Sequence, residues 1–315
     1  MGVRAFGRRL VVFAAALGAV ALGTVALGTG TANAAGEEPT GPVQPNIISA
    51  AIYSVAQPTV APPGANDWDC KPTADHPYPV LLSNGTTANA YENWANLSQV
   101  LADEGYCVFA GNFGGSPGSF LQTVGPVAGT AAQLAQFGDK VLAATGAAKL
   151  DVVGHSQGGM NPRYWIKYLG GATKIDKLIG LSPSNYGTSL FGLLSTIQAI
   201  PPARDLVGVA CASCNEQSTG SAFLTDLNAG GDTVPGIDYT VIQTKFDDVV
   251  TPYTNAFLKP APNVKNIVLQ DVCARDFTDH LGIPYDPIAQ REVLNALDPG
   301  HARTPKCVFV PPVLS

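Results

Sequence analysis

The chain is poor in charge: Lys and Arg total 18 of 315 residues and Asp and Glu 24, and beyond the first ten positions the basic residues form no cluster. A nucleic-acid-binding face needs a basic stripe, so that class of partner is excluded. Histidine is equally scarce, with four copies at His76, His155, His280 and His301, so any imidazole chemistry must use one of these. No H-x-x-x-H occurs and Cys211-x-x-Cys214 has no second C-x-x-C, so no zinc pattern is present and no metal is expected. Beyond the leader no apolar run is long enough to cross a bilayer, because Pro201-Pro202 and Arg204-Asp205 interrupt the longest.

The leader itself is explicit. Arg4, Arg8 and Arg9 precede an apolar run from Leu10 to about Leu27, and Ala32-Asn33-Ala34 follows as a small-residue cleavage site. Residues 1–34 read as a secretory signal peptide, and the paired Arg8-Arg9 leaves a twin-arginine route open. Cleavage removes three Arg and no acid from a chain whose formal charge is already −6. The expected product is a secreted, extracellular, soluble monomer with an entry segment at 35–69 and one large domain at 70–315. Its six cysteines, an even number in an exported chain, are expected to pair consecutively: Cys70 with Cys107, Cys211 with Cys214, and Cys273 with Cys307.

The organising stretch is Lys149 to Tyr164. Leu150, Val152 and Val153 form a short apolar run with two β-branched valines, Gly154-His155-Ser156-Gln157-Gly158 follows, and the chain to about Leu169 suits a helix. G-x-S-x-G between strand and helix is a nucleophile elbow, a turn that holds a serine hydroxyl clear of the sheet in strained backbone geometry. Chance alone would produce the bare pattern about 0.2 times in a chain this rich in Gly, so the flanking strand and helix carry the reading. Further strands are expected at 78–82, 106–110, 175–181, 239–244 and 264–269. Helices are expected at 47–55, 92–103, 131–144, from about 253, and 287–297. This alternation implies an α/β fold with a mostly parallel sheet covered on both faces. Gly111 to Gly129 reads as a loop, and the alternation lapses at 182–232. There Leu190, Leu193, Leu194 and Ile197 suggest an apolar helix, taken as part of a small cap lining an acyl pocket.

A serine hydroxyl attacks only after a base takes its proton. His155 adjoins Ser156 within the elbow and is expected to pack beneath the turn. The chain order serine, acid, histidine favours His280 in Asp-Phe-Thr-Asp-His-Leu-Gly, with His301 the alternative. The acid should follow a strand, and Tyr239 to Thr244 leads into Lys245-Phe246-Asp247-Asp248. Asp247 is preferred as the first off the strand, and Asp248 is its competitor. An oxyanion needs two donors: the backbone N–H of Gln157, and one from the turn at 83–87, where Thr86 is preferred to Thr87.

With these residues in place the chain resembles the small secreted bacterial lipases and esterases of the lipase class 2 family, in the α/β-hydrolase superfamily. The resemblance rests on Asn-Gly-Thr at 84–86, Tyr-Cys-Val-Phe at 106–109, Gly-His-Ser-Gln-Gly-Gly-Met at 154–160 and Asn185-Tyr-Gly-Thr188. Gly-Ser-Ala-Phe-Leu at 220–224, Phe-Asp-Asp-Val-Val-Thr-Pro at 246–252 and Asp-His at 279–280 extend it. It implies a Ser156, Asp247, His280 triad with Thr86 and Gln157 as oxyanion donors, no cofactor, and a small-molecule or lipid ester substrate met at a lipid–water interface. Asn84 and Tyr186 stand where relatives carry histidine, and Tyr186 is expected to narrow the acyl channel. An acyltransferase on the same scaffold and a lipid-binding protein with a decayed site are the rival readings.

Overall fold

The computed structural model describes residues 39–189 and 208–313. The apolar segment at Leu190 to Ile197 and the leader at 1–34 lie outside the described residues. Among the described residues six strands, β1 Val80–Ser83, β2 Val108–Ala110, β3 Leu150–His155, β4 Ile175–Leu181, β5 Asp238–Gln243 and β6 Val264–Val268, form one sheet in the order β2-β1-β3-β4-β5-β6. All five pairings are parallel, with Leu82 opposite Val153, Gly154 opposite Gly180 and Leu181 opposite Ile242. Parallel strands need crossovers, and the crossover helices cover both faces, which is why the inner strands β1 and β3 read as largely apolar, fully buried runs rather than alternating ones.

The two-residue period of β1 divides the core. Val80 and Leu82 join Val153, Ile179 and Leu181 on one face, and Leu81 joins Leu150, Val152 and Leu178 on the other. After α1 Ile47–Ala56, whose Ala50 packs with Tyr91, the first face is covered by helices α2 Ala90–Trp94, α3 Leu97–Asp103 and a last helix Pro287–Leu297, whose Trp94, Leu101 and Val293 belong to that core. The second is covered by α4 Val127–Thr145 and α5 Gln157–Tyr168 through Leu134, Val141 and Trp165. Trp94 and Trp165 are fully buried, and each contributes on the order of 5 kcal/mol of gross apolar burial.

Two expected helices are altered. The segment at 92–103 is broken at Asn96, whose side chain donates to the Gln44 carbonyl at 2.9 Å, and its first part starts at Ala90 because Asn89 caps it by accepting from Glu92 N–H at 2.8 Å. The helix expected from about Tyr253 is only the 3-10 turn Tyr253–Ala256, since Pro260 and Pro262 lie just beyond it. In the interrupted region, two short helices, Ala212–Glu216 and Ala222–Asn228, occur where regular structure was not expected.

Three disulfides fasten the periphery: Cys70–Cys107, Cys211–Cys214 and Cys273–Cys307. The first joins the entry segment to β2, where the Asn66 side chain also accepts from Ala110 N–H and donates to its carbonyl, both at 2.9 Å, covering the sheet edge. The third holds the C-terminal tail against the loop before residue 280, where Phe277 N–H donates to the Val310 carbonyl at 2.9 Å. Among the described residues no helix is long and apolar enough to cross a membrane.

Candidate active site

At the carboxyl end of β3 the chain turns sharply into α5 with Ser156 at φ 55° and ψ −125°. A β-carbon on Gly154 would sit 2.0 Å from the Gly158 carbonyl oxygen, and one on Gly158 would sit 2.0 Å from the Ser83 carbonyl oxygen. Both positions therefore have to be glycine, and the strain at Ser156 is held by the bonds on either side of it. Its N–H donates to the Leu181 carbonyl at 2.9 Å, and its own carbonyl accepts from Gly159 N–H at 3.0 Å.

The loops after β5 and β6 meet beside this turn. His280 Nδ1 lies 3.0 Å from Asp247 Oδ2, and both side chains are buried. The other Asp247 oxygen accepts from the N–H groups of Val249 at 2.9 Å and Val250 at 2.7 Å, while Gln243 Nε2 donates to Oδ2 at 3.1 Å. Burial works against a charged Asp247, but the facing His280 and these donors outweigh it and hold the carboxyl below its ordinary value. Burial likewise opposes a charged His280, and Asp247, with Asp248 and Asp279 behind it, pulls the imidazole above its ordinary value. The loop itself is fastened, for the Asp279 side chain accepts from Gly282 N–H and Val313 N–H, both at 2.9 Å.

The alternatives separate clearly. His301 is exposed on a C-terminal turn, paired only with Asp298 at 2.8 Å. Asp248 has a buried oxygen without a hydrogen-bond partner, and burial raises its carboxyl above the ordinary value. Thr86 Oγ1 donates to Gln157 Oε1 at 2.7 Å, whereas the exposed Thr87 hydroxyl turns back to the Thr86 carbonyl at 2.6 Å. A β-carbon on Gly85 would come 3.2 Å from Ser156 Cβ, so the turn bearing Thr86 lies directly against the elbow.

Several side chains were not anticipated. Gln217 Nε2 donates to Thr86 Oγ1 at 2.9 Å and to Gln157 Oε1 at 3.0 Å, tying the expected oxyanion donors to the loop stapled by Cys211–Cys214. Nothing in its sequence setting marks Gln217. Gln243 was findable in principle, as a polar residue following the buried Val241-Ile242 at the end of its strand. Asn84 is buried and spans the turn, donating to the Gly111 carbonyl and accepting from Trp94 Nε1, both at 2.8 Å. The Tyr186 hydroxyl donates to Asp232 at 2.7 Å, within the buried cluster around Arg163. That bond anchors the polar end of Tyr186 to Asp232 beside Arg163 of α5. Among the described residues no group of three or more His, Cys, Asp or Glu side chains could hold a metal.

Residues 77–280, well over half of the chain, match the profile of the lipase (class 2) family. The chain belongs to this family. Among curated relatives, it is 38% identical over 92 residues to a triacylglycerol lipase of Pseudarthrobacter phenanthrenivorans, covering 28% of this chain and 27% of that one. It is 31% identical over 145 residues to lipase B of Pseudozyma antarctica, covering 44% of this chain and 40% of that one. The matched stretches thus span less than half the length of these relatives. Aspergillus fumigatus lipase B shares the fold with a TM-score of 0.60 at 21% identity, covering 78% of this chain and 57% of that one. A mature Bacillus licheniformis lipase does so at 0.55 and 16% identity, covering 72% and 94%. The fold of this class 2 member is that of an α/β-hydrolase, and its three disulfides are consistent with an extracellular protein.

Proposed function

We propose that this protein is a secreted carboxylic-ester hydrolase that cleaves acyl esters, acylglycerols among them, through Ser156, His280 and Asp247. The observation that carries the reading is the buried bond between His280 Nδ1 and Asp247 Oδ2 at 3.0 Å, on a loop fastened beside a strained serine turn. Because Asp247 engages Nδ1, the proton of a neutral His280 sits there and Nε2 presents the lone pair a general base requires. Ser156 Oγ attacks the ester carbonyl as Nε2 takes its proton. The tetrahedral oxyanion is met by the N–H of Gln157 and by Thr86. His280 then protonates the leaving alcohol, and water, activated by the same imidazole, releases the acid from the acyl-enzyme. Membership of a lipase family and the triacylglycerol lipases among the relatives support acylglycerols as substrates. The leader at 1–34 and the disulfides support work outside the cell.

Titration of acid released from tributyrin, alongside p-nitrophenyl esters from acetate to palmitate, tests this. Hydrolysis by the mature chain that disappears in Ser156→Ala is expected. Equal rates in the two proteins would overturn the assignment.

A further inference from the structure

His155, immediately before Ser156, is buried and takes no part in the chemistry proposed above. Its two ring nitrogens face different partners. Nε2 lies 2.9 Å from the carbonyl oxygen of His280, and a carbonyl only accepts, so Nε2 carries the proton. Nδ1 lies 2.9 Å from Asn93 Nδ2, an amide donor, so it presents a lone pair. The amide orientation is fixed in turn, because Asn93 Oδ1 accepts from Gly85 N–H at 2.7 Å, and the flipped amide would set its NH₂ against that N–H. Three bonds thus form one buried line from Gly85, one residue before Thr86, through Asn93 and His155 to the backbone of His280. Burial first, then the neighbouring His280, pushes the His155 imidazole down to about 3, so the line keeps its polarity at neutral pH.

We propose that His155 is a positioning residue which, as the neutral Nε2–H tautomer, ties the oxyanion turn and the His280 loop to the serine elbow. The inference rests on the ester-hydrolase reading. A merely space-filling ring would serve if only packing mattered; positioning requires a donor at the Nε2 place and an acceptor at the Nδ1 place. Loss of both bonds frees two loops that must hold their geometry around Ser156, and a misplacement of about 1 Å costs on the order of 100-fold in rate.

The test compares His155→Phe, which keeps the volume and removes both bonds, with His155→Gln, which keeps an N–H near the Nε2 place. With p-nitrophenyl butyrate, His155→Phe is expected to lose about 100-fold in kcat with KM changed less than about twofold, and His155→Gln to recover at least about tenfold of that loss. In ¹⁵N-histidine spectra of the wild-type protein His155 should stay in the Nε2–H form from about pH 5 to 9. A His155→Phe variant within about threefold of wild type, or a His155→Gln variant as slow as it, would overturn the proposal. So would a His155 signal that titrates in that range. If His155→Phe does not fold, the Gln variant and the spectra decide. A wild-type protein with no Ser156-dependent hydrolysis strikes the ester-hydrolase reading instead, while the spectra still test the bonded line.

Discussion

Asn in place of Asp247 keeps the shape of the side chain and exchanges one acceptor oxygen for a donor. All four groups around the carboxylate are donors: His280 Nδ1 and Gln243 Nε2 on one oxygen, and the N–H groups of Val249 and Val250 on the other. Whichever way the amide turns, its NH₂ opposes two of them. If it faces His280, the imidazole relieves the clash by moving its proton to Nε2, which removes the lone pair that must accept the Ser156 proton. The wrong tautomer costs on the order of 10⁴ in kcat/KM, or about 5.5 kcal/mol of transition-state stabilisation. The donor left opposed at Gln243 costs about 1–3 kcal/mol of folding stability. Asp247 is also the leading influence that raises His280, so residual activity should show an acid limb displaced to lower pH. Measuring kcat/KM for p-nitrophenyl butyrate against pH, with thermal melts in parallel, reads all three effects. Asp248→Asn, which leaves the imidazole bond in place, should keep kcat/KM within about threefold of wild type. Retention of more than about a tenth of wild-type activity in Asp247→Asn, or a larger loss in Asp248→Asn, would mean that Asp247 does not set the His280 tautomer.

Gly158→Ala places a β-carbon 2.0 Å from the Ser83 carbonyl oxygen, and soluble protein with a normal melting temperature and normal rate would contradict the elbow geometry. Asp286 caps the last helix by accepting from Ile288 N–H at 2.8 Å, and burial followed by the facing Asp276 pushes its carboxyl up to about 8. The folded state therefore binds this proton more tightly than the unfolded one, so the stabilisation is complete below about pH 4 and is lost as pH rises through about 8. Asp286→Asn retains the cap and should gain in melting temperature over wild type as pH goes from about 5 to 9; a gap independent of pH would count against the shared proton. Removing Cys273–Cys307, which spans a sequence separation of 34, should cost about 4 kcal/mol on the chain-entropy relation, read as a fall in denaturation midpoint. An unchanged midpoint would show that the tail does not restrain the His280 loop.

The parallel sheet was legible because the inner strands β1 and β3 are short, largely apolar runs bounded by turn residues, and β4 at 175–181 and the last helix at 287–297 have the limits their patterns suggest, whereas the edge strand β6 carries exposed Lys265 and Asn266. Helix breaks were not, since Asn96 interrupts its helix through a bond to Gln44, 52 residues away, which no local propensity encodes. The same distinction holds at the site. Ser156, Asp247 and His280 could be named as candidates because a sharp turn, a strand end and a chain order leave local traces, and two of them, Asp247 and His280, are bonded at 3.0 Å. Gln217 and Asn93 act through partners that only folding supplies, and the anchor of Tyr186, Asp232, lies 46 residues onward. The helices at 212–216 and 222–228 escaped notice because each is too short to display a period.

The claim on which the account stands is that Ser156 is an activated nucleophile, and its reaction with a fluorophosphonate measures that property without reference to any substrate. Stoichiometric labelling of the wild-type protein is expected, with the added mass on the peptide containing Ser156 and a rate at least about 10³ times that of Asp247→Asn. Absence of labelling in folded protein, or labelling at another residue, would contradict it.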